Sequence, residues 1–286
     1  MEFGFREFEP HPALAGYVDR FWARSSGPSA NGGPLLILPD GCIDLIVDLS
    51  DGWNPFVVGA MTRARAFDPE SRSRLIGARF RPGGAIPFLK IPAHEITDHV
   101  VDSADLGLRW VSPIPPARHL QLAEAVRVLE RLLLERLAAT TTPHPIVARV
   151  VATLFGSAAP SVETLACEIG WSRQHLRRVV RHHVGIGPST LARVARLQRA
   201  ADLLQRSGGK GLSTAALSSG YFDQAHMNRD FRELAGVTPL DAAESTGSIF
   251  PIRSLLGVPS SPHDTTHREV EVTADRALRS DSFRVL

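Results

Sequence analysis

The stretch Leu212-Ser213-Thr214-Ala215-Ala216-Leu217-Ser218-Ser219-Gly220-Tyr221-Phe222-Asp223-Gln224-Ala225-His226-Met227-Asn228-Arg229-Asp230-Phe231-Arg232 decides the reading of this chain. A short helix ends at Gly220, which supplies a sharp turn, and Asp223 can cap a second helix from Gln224 to Leu234. Met227 and Phe231 fall on the inward side of that helix, leaving Gln224, Ala225, Asn228 and Arg229 outward. His226 sits between these sets and is read as packing inward.

Upstream the same arrangement occurs once more. Ser161 can cap a helix carrying Val162, Leu165, Ala166 and Ile169, Gly170 turns the chain, and Ser172 caps the next helix. In that helix Leu176, Val179 and Val180 share a face, and Arg173, Gln174, Arg177, Arg178 and Arg181 stand opposite. Arginine reads guanine bidentately, glutamine suits adenine, and further arginines neutralise phosphate, so the outward set has the chemistry of a major-groove reader. A merely solvated charged face has the same composition, and it is the repetition that favours DNA. The caps Ser172 and Asp223 lie 51 residues apart, with a helix from Pro188 to about Ser207 between them, whose Leu191, Val194, Ala195, Ala201 and Leu204 form a buried side. Such a strut would fix two readers for successive major grooves, about 34 Å apart.

These residues resemble the DNA-binding domain of AraC/XylS-type transcription regulators over about 100 residues. The most specific segment runs from Gly220 to Arg232 and on to Gly236-Val237-Thr238-Pro239. Leu165-Ala166, Ser172, Leu176, Gly185-Ile186-Gly187-Pro188, Arg196-Leu197 and Ala200 to Leu204 match the first unit and the connecting helix. The Val179-Val180 pair departs from the family, which usually has an aromatic at the second position. The resemblance implies Gln174, Arg177 and Arg178 as readers in the first unit and Gln224, Asn228 and Arg229 in the second.

Outside this region the chain has another texture. Apolar runs at Pro34 to Leu38, Ile43 to Leu49, Phe56 to Gly59 and Leu75 to Phe80, bounded by Gly, Pro and Asp, read as strands. Pro39-Asp40-Gly41 makes either a tight hairpin or a loop into a buried strand, and Ile86 to Leu89 reads as a short helix. From Ala117 to Ala139 the spacing of Leu122, Val126, Leu129, Leu133 and Leu137 predicts a helix, whose stripe suits either dimer contact or packing within the chain. The expected class is a strand-rich α+β N-terminal domain followed by an all-α domain with two helix-turn-helix units. Its divisions are a β-rich effector or dimerisation domain at 1–116, a linker helix at 117–142, the DNA-binding domain at 143–245 and a disordered tail at 246–286.

Pro39 to Leu45 and Phe80 to Gly84 resemble an uncharacterised sensor type that accompanies this family. Asp40, Asp44, Arg79 and Arg81 are candidate effector-binding residues, with Arg63, Trp22, Trp53 and Phe56 around them. The alternative is that the aspartates cap turns, the arginines pair with them and the aromatics fill a core.

The 286 residues, 43% hydrophobic and 22% charged, describe a globular chain with room for two domains. Net charge is only +2, yet residues 143–250 hold 12 Arg and Lys against 8 Asp and Glu, so positive charge gathers where phosphate would bind. No membrane-length apolar run and no secretory leader is evident, which predicts a cytoplasmic protein without a membrane partner. Cys42 and Cys167 are expected as buried free thiols. The rival function is a DNA-targeted enzyme, such as an alkyl-transfer repair protein using Cys42, and a third reading is a helical interaction module. No metal-spaced cluster, phosphate loop or Ser/His/Asp signature appears, so no catalytic residue, metal or cofactor is expected. Double-stranded DNA is the expected partner, with a small-molecule effector, RNA polymerase and a second copy of the chain as further ones.

Overall fold

A computed structural model describes residues 4–25, 35–67, 73–111, 120–139 and 142–244. The N-terminal half is built on an antiparallel six-stranded sheet of order β1-β2-β7-β4-β5-β8. Its strands are β1 (Gly4–Phe8), β2 (Val18–Ser25), β4 (Ile43–Asp48), β5 (Asn54–Val58), β7 (Arg74–Phe80) and β8 (Val100–Asp102). In β4 the buried Ile43, Leu45 and Val47 alternate with half-buried neighbours, the two-residue period of a sheet with one inner face. A separate ribbon pairs β3 (Leu35–Ile37) with β6 (Arg65–Phe67). Pro39-Asp40-Gly41 therefore makes no hairpin between β3 and β4; it is a loop from the ribbon into the buried strand. Of the eight strands, β1, β2, β6 and β8 were not individually expected.

The short helix α1 (Ile86–Leu89) forms as predicted. Helix α2 spans Leu122–Leu137, shorter than the expected Ala117 to Ala139, and begins on a Gln121/Glu124 capping box. Its Ala125, Val126, Leu129 and Leu133 are buried in the same core as the sheet residues, and the helix packs on β7 and β2. The hydrophobic stripe is thus spent within the chain. The prolines at 113, 115 and 116 and the tail at 246–286 lie outside the described residues.

The C-terminal half is helical: α3 (Pro145–Phe155), α4 (Val162–Glu168), α5 (Arg173–Val184), α6 (Pro188–Ser207), α7 (Leu212–Ser218), α8 (Gln224–Asp230), a π-helical turn at Phe231–Ala235, and α9 (Pro239–Glu244). Helix α6 runs through the middle and buries Leu191, Val194, Ala195, Leu197, Ala200, Ala201 and Leu204. Buried beside them is Arg199, which donates through Nη1 to the carbonyls of Leu154 (3.1 Å) and Gly156 (3.0 Å) and through Nη2 to that of Ser219 (3.1 Å). Carbonyls at the ends of α3 and α7 have no partner within their own helices, so one guanidinium satisfies the end of the helix preceding the first unit and the end of the leading helix of the second. Cys167 is exposed, contrary to expectation. On α4 the inward positions are Leu165 and Ala166, and the next residue is turned outward by the helical step.

The two halves are joined by contacts rather than by a tether. Gln198, fully buried on α6, donates to the Pro39 carbonyl at 2.8 Å. Gly41 has φ +77° and lies so close to Leu191 that a Cβ there would sit 2.8 Å from Leu191 Cδ1, a position suited to glycine alone. Leu38 belongs to the core of the second unit, whereas Cys42 and Ile43 belong to the core that includes the first. Thr97 Oγ1 donates to the Gly185 carbonyl (3.0 Å) and the Ala64 amide to that of Leu234 (2.7 Å). Among the described residues no helix is long and apolar enough to cross a membrane.

Along α5, rings pack against one another: His182 with His183 edge to face (4.9 Å between centroids), His183 with His144 at a tilt (5.1 Å), and Trp171 with His175 edge to face (4.4 Å). Burial first, then the neighbouring His182 and His144, hold the His183 imidazole down at about 4. The unfolded chain takes up this proton below about 6.5 while the folded one stays neutral. The contribution of this group is therefore complete above that pH and is lost between about 6.5 and 4. Across this range the urea midpoint of His183→Gln should gain on that of the unsubstituted chain as pH falls. Arg199→Met, which strands three carbonyls, should lower unfolding free energy by roughly 3 kcal/mol. Arg199→Lys should recover only part of that, since an ammonium cannot fork between two helix ends.

Candidate nucleic-acid interface

In the first unit, Ser161 Oγ accepts from the Thr164 amide (3.0 Å) and Ser172 Oγ from that of His175 (3.2 Å), so both caps act as the residue types require. Gly170 makes the turn with φ +70°. Leu176, Val180 and Val184 are buried, and the valine at the position where an aromatic is usual is fully enclosed. Arg173, Gln174, Arg177, Arg178 and Arg181 are all exposed along the opposite face. Arg178 donates to its neighbour His175 (3.1 Å), and Arg173 lies 3.8 Å from Glu163 in an exposed pair. Such pairs are weak enough to exchange for phosphate.

The second unit is assembled differently. Helix α7 has Gly211 in a left-handed conformation at its N-cap and no side-chain cap. Asp223 Oδ1 accepts from the His226 amide at 2.6 Å and caps α8. Met227 and Phe231 are buried as expected, and His226 packs its ring edge to face on Tyr221, 5.1 Å between centroids. Of the three nominated readers, only Arg229 is exposed; Gln224 and Asn228 are half-buried, and Gln224 Oε1 accepts from Ser213 at 3.2 Å. Helix α8 is fastened to α6 by Arg193, whose fork reaches Asp230 (2.8 Å) and Glu233 (2.6 Å), a bidentate geometry that orients as well as binds.

A cleft of about 470 Å³ opens between the domains beside α5, where Arg173, Arg177 and Arg181 face Thr62, His94 and Thr97. The short turn Ala93–Glu95 packs directly on α5, and His94 borders the side of that helix carrying Gln174 and Arg178. Asp98 accepts from the Thr62 amide (2.7 Å) and hydroxyl (2.6 Å). It thereby links the turn that touches the first unit to the segment whose Ala64 touches the second. Thr62, His94, Thr97 and Asp98 do not stand out in the sequence, because their partners lie far along the chain and carry no local signature.

The candidate effector residues lie elsewhere. Arg79, buried, pairs with Asp40 (3.6 Å) and Asp44 (3.4 Å). Asp44 also accepts from Trp22 Nε1 (3.1 Å), and Asp40 from the Cys42 amide (2.8 Å). Burial lifts the Asp40 carboxyl to about 6 despite the guanidinium beside it. Arg81 donates to the Ala15 carbonyl (2.8 Å), and Trp53 to that of Val111 (3.0 Å). Cys42 is enclosed, and burial and then Asp40 push its thiol well up, the reverse of what activates a nucleophile. Among the described residues no three His, Cys, Asp or Glu side chains converge as a metal site requires.

Residues 165–245 match the model of a helix-turn-helix domain, and residues 6–102 match that of a domain of unknown function. No curated protein matches the chain by sequence. Among solved structures, the chain is similar to apo ToxT from Vibrio cholerae strain SCE256 carrying a lysine-to-alanine substitution, at 11% identity and a TM-score of 0.41, over 86% of this chain and 94% of that one. It is similar also to ToxT from Vibrio cholerae O395 bound to (E)-4-(8-methylnaphthalen-1-yl)but-3-enoic acid, at 10% identity and a TM-score of 0.39, over 85% and 95%. The two helix pairs and the helix between them thus fall in the region, residues 165–245, that matches a helix-turn-helix domain.

Proposed function

We propose that this protein is a sequence-specific, DNA-binding transcription factor that answers to a small molecule through its N-terminal domain and works in the cytoplasm. The observation that carries the reading is the pair of capped helices, each presenting outward guanidinium, held on one buried strut. Under this reading Arg173, Gln174, Arg177, Arg178 and Arg181 serve base edges and phosphates from the first unit. Gln224, Asn228 and Arg229 do so from the second, Gln224 after releasing Ser213. The DNA-binding domain is taken as 143–245, preceded by a sensing domain at 1–116 and the helix of 117–142.

Response to an effector is supported by where the domains touch. The loop at Asp40 and Gly41, backed by Asp44 and Arg79, bears on the connecting helix, and the turn at Ala93–Glu95 bears on the first reader. A ligand that shifts either contact changes how the readers are presented, through its differential affinity for the two arrangements. RNA polymerase is a further partner under this reading. A second copy of the chain is another, and would have to pair through a surface other than the α2 stripe committed to the sheet.

The test is equilibrium binding of the full chain to duplexes selected from a randomised library, over a range of salt. Affinity should fall steeply as salt rises, and Arg178→Ala and Arg229→Ala should each cost about 1–3 kcal/mol at the selected site. Unchanged affinity in both variants would remove these residues from the reading set, and absence of any selected site would remove the function.

A further inference from the structure

Phe222 is the most exposed large apolar side chain among the described residues, at 86%. It occupies the position before the Asp223 cap, from which an apolar side chain ordinarily folds back onto the fourth helical residue and staples the helix start. That fourth residue is Met227, already fully buried in the core around Phe231. The ring therefore does no stapling, and stability does not explain its place.

The surroundings indicate what it meets. Ala225 and Arg229, four residues apart on one face of α8, are exposed, as is Arg232. The Asp223 carboxylate is committed to the cap, and Gln224 accepts from Ser213 until DNA displaces that bond. The leading end of α8 thus offers an aromatic ring and a methyl group, followed by a guanidinium. In a helix-turn-helix it is the N-terminal part of the second helix that reaches base edges. In the major groove the apolar counterpart is the C5 methyl of thymine, and the counterpart of the guanidinium is guanine.

We propose that the second unit reads thymine through its methyl group, using Phe222 and Ala225, next to the base contacted by Arg229. This rests on the DNA-binding reading above. A protein partner is a weaker fit, because the apolar patch on α8 is small and lies beside arginines suited to phosphate.

Deoxyuridine differs from thymidine only in lacking that methyl, so it isolates the contact. Duplexes enriched by the full chain from a randomised library would be remade with deoxyuridine at one thymine position at a time. At the positions under the second unit each replacement should weaken binding about fourfold, the worth of one buried methyl. Phe222→Ala, an exposed change that the fold tolerates, should bind the thymine and uracil duplexes equally at its position. Arg229→Ala should lose affinity while keeping the thymine preference. Indifference to every replacement, or discrimination that survives Phe222→Ala, overturns the proposal with DNA binding intact; failure to enrich any duplex overturns the DNA-binding reading and this one together.

Discussion

The guanidinium of Arg199, enclosed midway along the connecting helix, is the interaction on which the arrangement of the C-terminal half turns. It collects carbonyls from the ends of α3 and α7. Burying a charge this deeply is tolerable only because its donors find acceptors. Those acceptors are backbone groups that a helix end leaves open in any case. Each side solves the other's problem, and the ends of α3 and α7 are both tied to α6. Arg193 extends the same logic outward by gripping Asp230 and Glu233, so the second reader is fastened to the strut at its inner face.

The N-terminal domain is a participant in this frame. Its loop at 38–42 crosses the strut, leaving Leu38 in the core of one unit and Cys42 in the core that holds the other. Gln198 anchors that crossing, and Asp98 ties together the two segments that touch the units separately. The hydrophobic cores are continuous across the boundary, so the domains share one packing arrangement.

The features legible in sequence were those with local causes. Ser161, Ser172 and Asp223 announce helix starts because a cap acts within three residues. Gly170 and Gly220 announce turns because few other residues adopt positive φ. The connecting helix was legible from Pro188 to Ser207 through its apolar spacing. What escaped notice depends on distant partners: Gln198 meets Pro39 and Arg199 meets Leu154 and Ser219 through folding alone. The three-residue strands β6 and β8 are too short to show a period. The Asp40, Asp44 and Arg79 set was visible as a constellation of charge, but composition alone could not distinguish a pocket awaiting a ligand from groups that satisfy one another. The outward side of α8 was legible as a face, yet the involvement of Gln224 with Ser213 and the prominence of Phe222 emerge only once α7 is packed beside it.

On the proposed DNA-binding reading, a strut held by buried hydrogen bonds would also place a demand on the duplex. Two readers whose separation is set in this way would leave any mismatch with the helical repeat to be absorbed by bending or twisting the double helix. Base pairs lying between the two contacted segments would then be sorted by how easily they deform, with yielding pyrimidine–purine steps favoured over stiff A-tracts. Stiffness would become part of the message.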